Sequence, residues 1–221
     1  APSLRSRMIL ATKGGIIPPL PYDSSGEYLV AACDASLARL KTDVIDLYQV
    51  HRPDMFTHPA EVAGVLDGLV AAGKIREYGI SNYTPDQYEA LATYCQQGLV
   101  TTQPQYSAAH LEPLRDGTLD KAMRDRVLPL AWSPLGGGRI PSGVDVPEAL
   151  VQVLDDLAKR EESTRANIAL AFVLAHPSRP VAIIGTQNPD RITESLGVLE
   201  VTLTRDDVYN IIEASEGVPL P

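Results

Sequence analysis

Apolar blocks of strand length alternate with amphipathic segments of helix length along the whole of this 221-residue chain. That rhythm constrains the fold more than any other feature, because strand-then-helix alternation builds a parallel sheet covered by helices. The blocks are Met8 to Lys13, Val44 to His51, Ile75 to Ser81, Leu99 to Tyr106, Leu128 to Leu135 and Pro180 to Thr186. Each is nearly continuous in apolar residues, the pattern of a strand buried on both faces. Helix starts are marked as clearly. Thr84-Pro85-Asp86-Gln87 combines a capping hydroxyl, a proline at the first helical position and a glutamine that reaches back to the cap; Pro59 and Pro189 repeat the proline device. The helix opened at Pro59 presents Val62, Val65, Leu66 and Leu69 on one face and stops at Gly73. Further helices are expected over Tyr28 to Leu40, Asp120 to Arg126, Glu148 to Arg160 and Ala166 to Ala175, with a last one capped by Thr204.

Six strand–helix units with no long linker make residues 1–221 a single domain. Polar and glycine-rich residues collect just after the strands, at their C-terminal ends, where a (β/α) barrel assembles its active site. Composition narrows the functions open to such a chain. With 44% hydrophobic and 21% charged residues it is globular, and no apolar run approaches the roughly 18 residues of a membrane span. A net charge of −9 with both signs interspersed provides no broad cationic face for nucleic acid or an anionic membrane. Cys33 and Cys95 are too few for a disulfide scaffold and read as apolar fillers in a reducing, cytoplasmic setting. No signal peptide is visible, and Ala1 to Arg5 reads as the tail of a helix.

Several familiar motifs fail on inspection. Gly68 to Lys74 spells the glycines and lysine of a phosphate loop, but Ile75 replaces the Ser/Thr and the segment lies in a helix. There is no GxGxxG, Ser81 lacks the closing glycine of a nucleophile elbow, and the four histidines have no metal-ligand spacing. Polar residues at strand ends remain. Lys13 ends a buried strand, where an ammonium needs a counter-charge or a titratable neighbour. The strand period of two places His51 on the face of Gln49, Leu47 and Ile45. Ser81, Asn82 and Gln103 offer short groups that orient a ligand, and Trp132 an aromatic face for a planar ring. The loop Gly185-Thr186-Gln187-Asn188-Pro189-Asp190-Arg191 brings backbone N–H groups, a hydroxyl and a guanidinium to one anion site, while Gly136 to Gly138 and Arg139 allow close backbone approach. Each has a plainer reading: a rim lysine, a structural histidine, a core tryptophan, a helix cap.

Taken together and in order, these blocks closely resemble the aldo-keto reductases. The resemblance rests on Lys13 after a strand, Asp43-Val-Ile-Asp-Leu-Tyr-Gln-Val-His51-Arg-Pro-Asp54, Gly73-Lys-Ile-Arg-Glu-Tyr-Gly-Ile-Ser81-Asn82, Gln103, Ala131-Trp-Ser-Pro-Leu-Gly136 and Ile184-Gly-Thr-Gln-Asn-Pro-Asp-Arg191. It implies a (β/α)8 TIM barrel, of which about six βα units are present here, that moves a hydride between NADP(H) and a carbonyl or alcohol without a metal. Lys13 and His51 match two members of the family's catalytic Asp, Tyr, Lys and His set. By the same resemblance Ser81, Asn82 and Gln103 hold the carboxamide, and Trp132 stacks on the nicotinamide. Ser133, Leu135, Gly136 and Arg139 line the diphosphate, and Gly185, Thr186, Gln187, Arg191, Glu194 and Ser195 take the adenosine and its 2′-phosphate. Arg52, Met55 and Phe56 are expected to wall the substrate pocket. Many members carry a lysine where Gly185 stands, so the expectation of NADP(H) over NAD(H) rests on Arg191.

The family's Asp-x-Ala-x-x-Tyr-Gly type segment has no counterpart here. The expectation is therefore a chain that lacks the first two βα units, active as a reductase when complete and inactive at 221 residues. A dinucleotide-binding module without turnover, and a barrel lyase using Lys13 as a Schiff-base amine, are the alternatives.

Overall fold

Every apolar block read as a strand overlaps one in the computed structural model, which describes residues 4–19 and 22–220. The chain divides into two compact units, Ala1–Thr102 and Gln103–Pro221.

The first unit carries β1 (Ala11–Gly14), α1 (Gly26–Leu40), β2 (Ile45–Val50), α2 (Pro59–Ala71), β3 (Ile75–Ser81) and α3 (Pro85–Ala92); β4 (Thr101–Gln103) begins in it. β1, β2 and β3 are parallel neighbours, with Lys13 opposite Gln49 and Gln49 opposite Gly79. β3 matches its expected block end for end. β1 starts three residues later than expected: just before it Leu10 O accepts from Asp46 N–H (3.0 Å) and Leu47 N–H (3.1 Å), but Leu10 N–H donates to the Asp46 side chain (Oδ2, 2.8 Å), and Arg5 pairs with the same carboxylate (2.8 Å). Of the expected helix tail at the start, Ala1 to Ser3 lie outside the described residues, and Leu4–Arg7 is a 3-10 turn. The helices start where their caps predict. Thr84 and Gln87 form the reciprocal capping box of α3, and α2 is capped by His58, whose Nδ1 accepts from Ala60 N–H (3.1 Å). Leu29 and Cys33 of α1 and Val62, Ala63, Leu66 and Leu69 of α2 are buried with the strand residues Tyr48, Val50, Tyr78 and Ile80. Each large apolar side chain buried this way contributes roughly 1.5–3 kcal/mol. Cys33 behaves as filler: it is fully buried, and burial pushes its thiol up to about 11.

The second unit carries α4 (Thr118–Asp125), β5 (Leu128–Ala131), α5 (Arg139–Ser142), α6 (Glu148–Arg160), α7 (Arg165–Leu174), β6 (Val181–Ala182), α8 (Pro189–Ser195) and α9 (Arg205–Glu216). Its core gathers Tyr106, Leu119, Ile140, Leu150, Leu154, Ile168, Phe172 and Ile211. The bidentate Arg160–Asp207 pair (2.8 Å at each contact) joins the end of α6 to the start of α9, where Asp207 also completes the capping box with Thr204. β5 and β6 pair in parallel but are shorter than their apolar runs. Ser133 takes a left-handed φ of 49° followed by Pro134, which ends β5, and Pro104, lacking an N–H, ends β4. Among the described residues no helix is long and apolar enough to cross a membrane.

Candidate active site

In the first unit the strand ends bring Lys13, His51, Ser81 and Asn82 to the C-terminal edge of the sheet. Lys13 is the penultimate residue of β1 and His51 follows β2, its backbone N–H donating to Gly14 O (2.8 Å). Both side chains are half-buried, and their titrations reflect it. Burial lowers the Lys13 pKa from the ordinary lysine value. It also lowers that of His51, with the positive charges of Lys13 and Arg52 adding to the effect. A histidine kept neutral beside a cation holds a carbonyl oxygen by a hydrogen bond rather than by giving up a proton. Asn82 sits at φ 60°, a left-handed conformation asparagine tolerates, and its amide donates to His51 O (3.2 Å) and to Ser81 Oγ (2.8 Å). The end of β3 is thereby tied to the end of β2. Ser81 is buried and Arg52 half-buried. Met55 and Phe56, expected to wall a pocket, are instead 75% and 97% exposed on the loop after β2.

That loop is organised by Asp54, which carried no role in the sequence reading. Its carboxylate accepts from Phe56 N–H (2.9 Å), Thr57 Oγ1 (2.8 Å) and Ser24 N–H (3.0 Å), fastening the loop after β2 to the entrance of α1. These donors hold its pKa below the ordinary carboxylate value against the opposing effect of burial. The aspartate two residues before Phe56 was the available signal, since it bonds the backbone two positions on.

In the second unit Gln103 is buried, and Trp132 is half-buried at the end of β5, its backbone exchanging hydrogen bonds with Pro104 O (3.0 Å) and Tyr106 N–H (3.3 Å). Gly136, Gly137 and Gly138 all take left-handed φ values of 62°, 68° and 92°. Space is open where side chains would stand on Gly137, Gly138 and Gly185. Such bare backbone suits the close approach of a diphosphate. Ser133 and Leu135 flank it, half-buried. Arg139 is committed locally, donating to Gly136 O (2.9 Å) and Asp145 O (3.3 Å).

The loop before α8 differs in detail from its expected form. Three of its backbone donors are spent locally: Thr186 N–H donates to Ile184 O (3.0 Å), Asn188 N–H to Thr186 Oγ1 (3.1 Å) and Asp190 N–H to Asn188 Oδ1 (2.8 Å). What the loop presents outward is Gln187 and Arg191, both exposed. Glu194 is exposed and its carbonyl accepts from Asn167 Nδ2 (3.2 Å), while Ser195 Oγ donates to Ile192 O (2.7 Å). A recess of about 570 Å³ by α6 and α9 holds Asp156 and Glu213 among apolar residues. Glu213 there accepts from Leu220 N–H (2.8 Å), and the recess contains none of the residues above.

The family profile described as "Aldo/keto reductase family" matches residues 1–216. A 6-dehydroglucose reductase of Novosphingobium aromaticivorans is 49% identical over the whole chain, which spans 73% of that protein. Oxidoreductase YdhF of Escherichia coli is 34% identical, again over the whole chain, which spans 76% of it. The crystal structure of a thermostable aldo-keto reductase in complex with the inhibitor epalrestat superposes with a TM-score of 0.86 at 26% identity, covering 95% of this chain and 72% of the other. The profile match starts at residue 1, and so lends no support to the expectation that a catalytic segment is missing. Strand order, strand-end chemistry and these likenesses agree: the chain belongs to the aldo/keto reductase family, oxidoreductases of TIM-barrel type that transfer hydride to carbonyl substrates.

Proposed function

We propose that this protein is an NADP(H)-dependent reductase of a sugar aldehyde, with Lys13 and His51 at the reacting oxygen. The single observation that carries this is the strand-end pair itself: a lysine and a histidine, both half-buried, each with a lowered pKa, and close enough that one charge acts on the other. Perturbed titratable pairs of this kind are characteristic of catalytic sites. The substrate class follows from the 49% identical relative, whose name specifies a dehydro-sugar. Bound nicotinamide supplies the hydride. The chain's own residues do the rest. His51, neutral at pH 7, orients the carbonyl by hydrogen bonding, and the Lys13 cation stabilises negative charge developing on the oxygen. Ser81, Asn82 and Gln103 are assigned to the carboxamide and Trp132 to the ring. Ser133, Leu135 and Gly136 are assigned to the diphosphate, and Gly185, Thr186, Gln187, Arg191, Glu194 and Ser195 to the adenosine end. Arg139, spent on carbonyls, serves that region by shaping the glycine turn. Arg52 borders the substrate.

Proton delivery is a separate matter. Among the described residues no tyrosine hydroxyl is hydrogen-bonded to Lys13 or His51, so we further propose that residues 1–221 alone bind the cofactor but do not turn over. The test follows NADPH oxidation at 340 nm with a 6-dehydro sugar, for the 221-residue chain and for a form preceded by an Asp- and Tyr-bearing segment. Cofactor binding without oxidation by the first, and oxidation by the second that is lost in Lys13→Met, is expected. Robust turnover by the 221-residue chain would overturn the second proposal, and oxidation insensitive to Lys13→Met the first.

A further inference from the structure

The sheet of the first unit holds a buried amide that the reaction above does not use. Gln49 is 1% exposed on β2, and its register neighbours are Lys13 on β1 and Gly79 on β3. Register neighbours in a parallel sheet project from the same face, so the Gln49 and Lys13 side chains leave the sheet side by side. The amide nevertheless turns the other way. Its Nε2 donates to Ile80 O (3.3 Å) on β3 and to Thr101 Oγ1 (3.2 Å) on β4. It reaches them across Gly79, the one position in the register row with no side chain. The Thr101 hydroxyl occupies the space beside that glycine: a Cβ on Gly79 would lie only 2.0 Å from Thr101 Oγ1. Among the described residues no hydrogen bond or ion pair engages the Lys13 ammonium; burial acts on it, and its own charge, with that of Arg52, acts on His51.

We infer that Thr101 and Gly79 hold the Gln49 amide away from Lys13, making Gln49 a positioning residue whose restraint leaves the lysine cation available to the reacting oxygen. The physical reason is competition. A buried ammonium with a same-face amide one strand away gains by donating to its carbonyl oxygen, which stabilises the charged form and redirects the charge. Tethering the amide to β3 and β4 removes that option. The inference rests on the assignment of Lys13 to the hydride-transfer site.

The experiment titrates the protein itself, without turnover. Lysines are reductively dimethylated with ¹³C, which preserves their charge, the Lys13 signal is assigned by its loss in Lys13→Arg, and its midpoint is followed by NMR. Thr101→Val keeps the volume and removes one of the amide's two acceptors, leaving only Ile80 O, so the loosened amide turns to Lys13. The Lys13 midpoint is expected to rise by at least about half a pH unit. Thr101→Ser, which retains the hydroxyl, is expected to leave it in place, and Thr101→Val combined with Gln49→Leu to abolish the rise. An unchanged midpoint in Thr101→Val, or the same rise in the double variant, overturns the inference. Should Thr101→Val not fold, the wild type decides: the Gln49 side-chain amide signals are expected to exchange slowly and to stay fixed through the Lys13 titration. An amide signal that follows that titration overturns the inference. If NADPH oxidation proves indifferent to Lys13 while these titrations behave as expected, the catalytic reading fails and the clamp stands.

Discussion

Replacing Gly79 by alanine puts a methyl where the sheet has no room for one. The new Cβ lies 2.0 Å from Thr101 Oγ1 and 2.6 Å from Thr101 O, where ordinary contact begins at 3.4 Å. The hydroxyl can rotate away, but the carbonyl belongs to β4, whose approach to β3 is fixed by Val100 N–H donating to Tyr78 O (3.1 Å). β4 therefore has to retreat. Overpacking of this kind costs about 1–3 kcal/mol, and loss of the Gln49 to Thr101 hydrogen bond adds about 1 kcal/mol. A destabilisation of about 2–4 kcal/mol is expected. Gly68→Ala is the matched control. Gly68 lies inside α2 with nothing within 4 Å of the added Cβ, so the same chemical change should stabilise by about 0.5–1 kcal/mol through helix propensity. Urea denaturation at pH 7 measures both, read as midpoint shifts at constant slope. Neither glycine has a left-handed φ, so conformation does not separate them. A Gly79→Ala variant within about 0.5 kcal/mol of wild type, the ordinary scatter of surface substitutions, or movement of both variants in the same direction, would refute overpacking at Gly79.

Asp207→Asn should cost about 1–3 kcal/mol in urea melts by breaking the charge-assisted pair with Arg160 and the α9 capping box. Arg160 holds the Asp207 pKa far below the ordinary value, so this stability is present above that value and lost as pH falls through the lowered one; a gap that does not narrow in acid counts against it. Lys13→Met should raise the His51 midpoint, followed by imidazole NMR, because the Lys13 charge is second only to burial in lowering it; an unchanged midpoint would show that the two do not interact. His58→Asn replaces a ring-nitrogen cap on α2 by a preferred capping side chain and should stabilise by about 0.5–1 kcal/mol in thermal or urea melts, a loss of stability contradicting the assigned cap. Gly185→Lys should strengthen NADPH binding over NADH by up to about fivefold in fluorescence titration, since the position is open and one exposed cation is worth up to ~1 kcal/mol. Equal gains for both cofactors would place the 2′-phosphate elsewhere.

Elements whose start and stop are encoded locally were legible in the sequence. The capping box of α3, the Thr204 cap of α9 and the Pro59 start of α2 are properties of a few consecutive residues, and β3 occupies its whole apolar block. Strand length was less legible where it depends on a neighbour. β6 is two residues long although its apolar run continues to Ile184, because a strand exists only where another strand supplies the ladder, and the pairing with β5 covers only Leu130 with Val181 and Ala131 with Ala182. At the other end Asp46, thirty-six residues from Leu10, takes the Leu10 N–H before β1 with a side-chain bond that periodicity does not encode.

The same distinction runs through the site. The period of two is enough to set His51 on the face of Gln49, and terminal position is enough to single out Lys13. Neither says that Lys13 and Gln49 are adjacent, because adjacency is a matter of register, and register is set by packing of whole strands. Gly79 is harder still to see. In a sequence, a glycine inside an apolar strand reads as a weak point, and its partner Thr101 lies twenty-two residues away in the next apolar block. What matters at Gly79 is space, which has no signature along a chain: the missing methyl is where the threonine hydroxyl sits and where the Gln49 amide crosses to reach it. The chemistry-bearing residues are therefore legible at the strand ends, while the residues that decide which way they face become visible only once the strands are laid side by side.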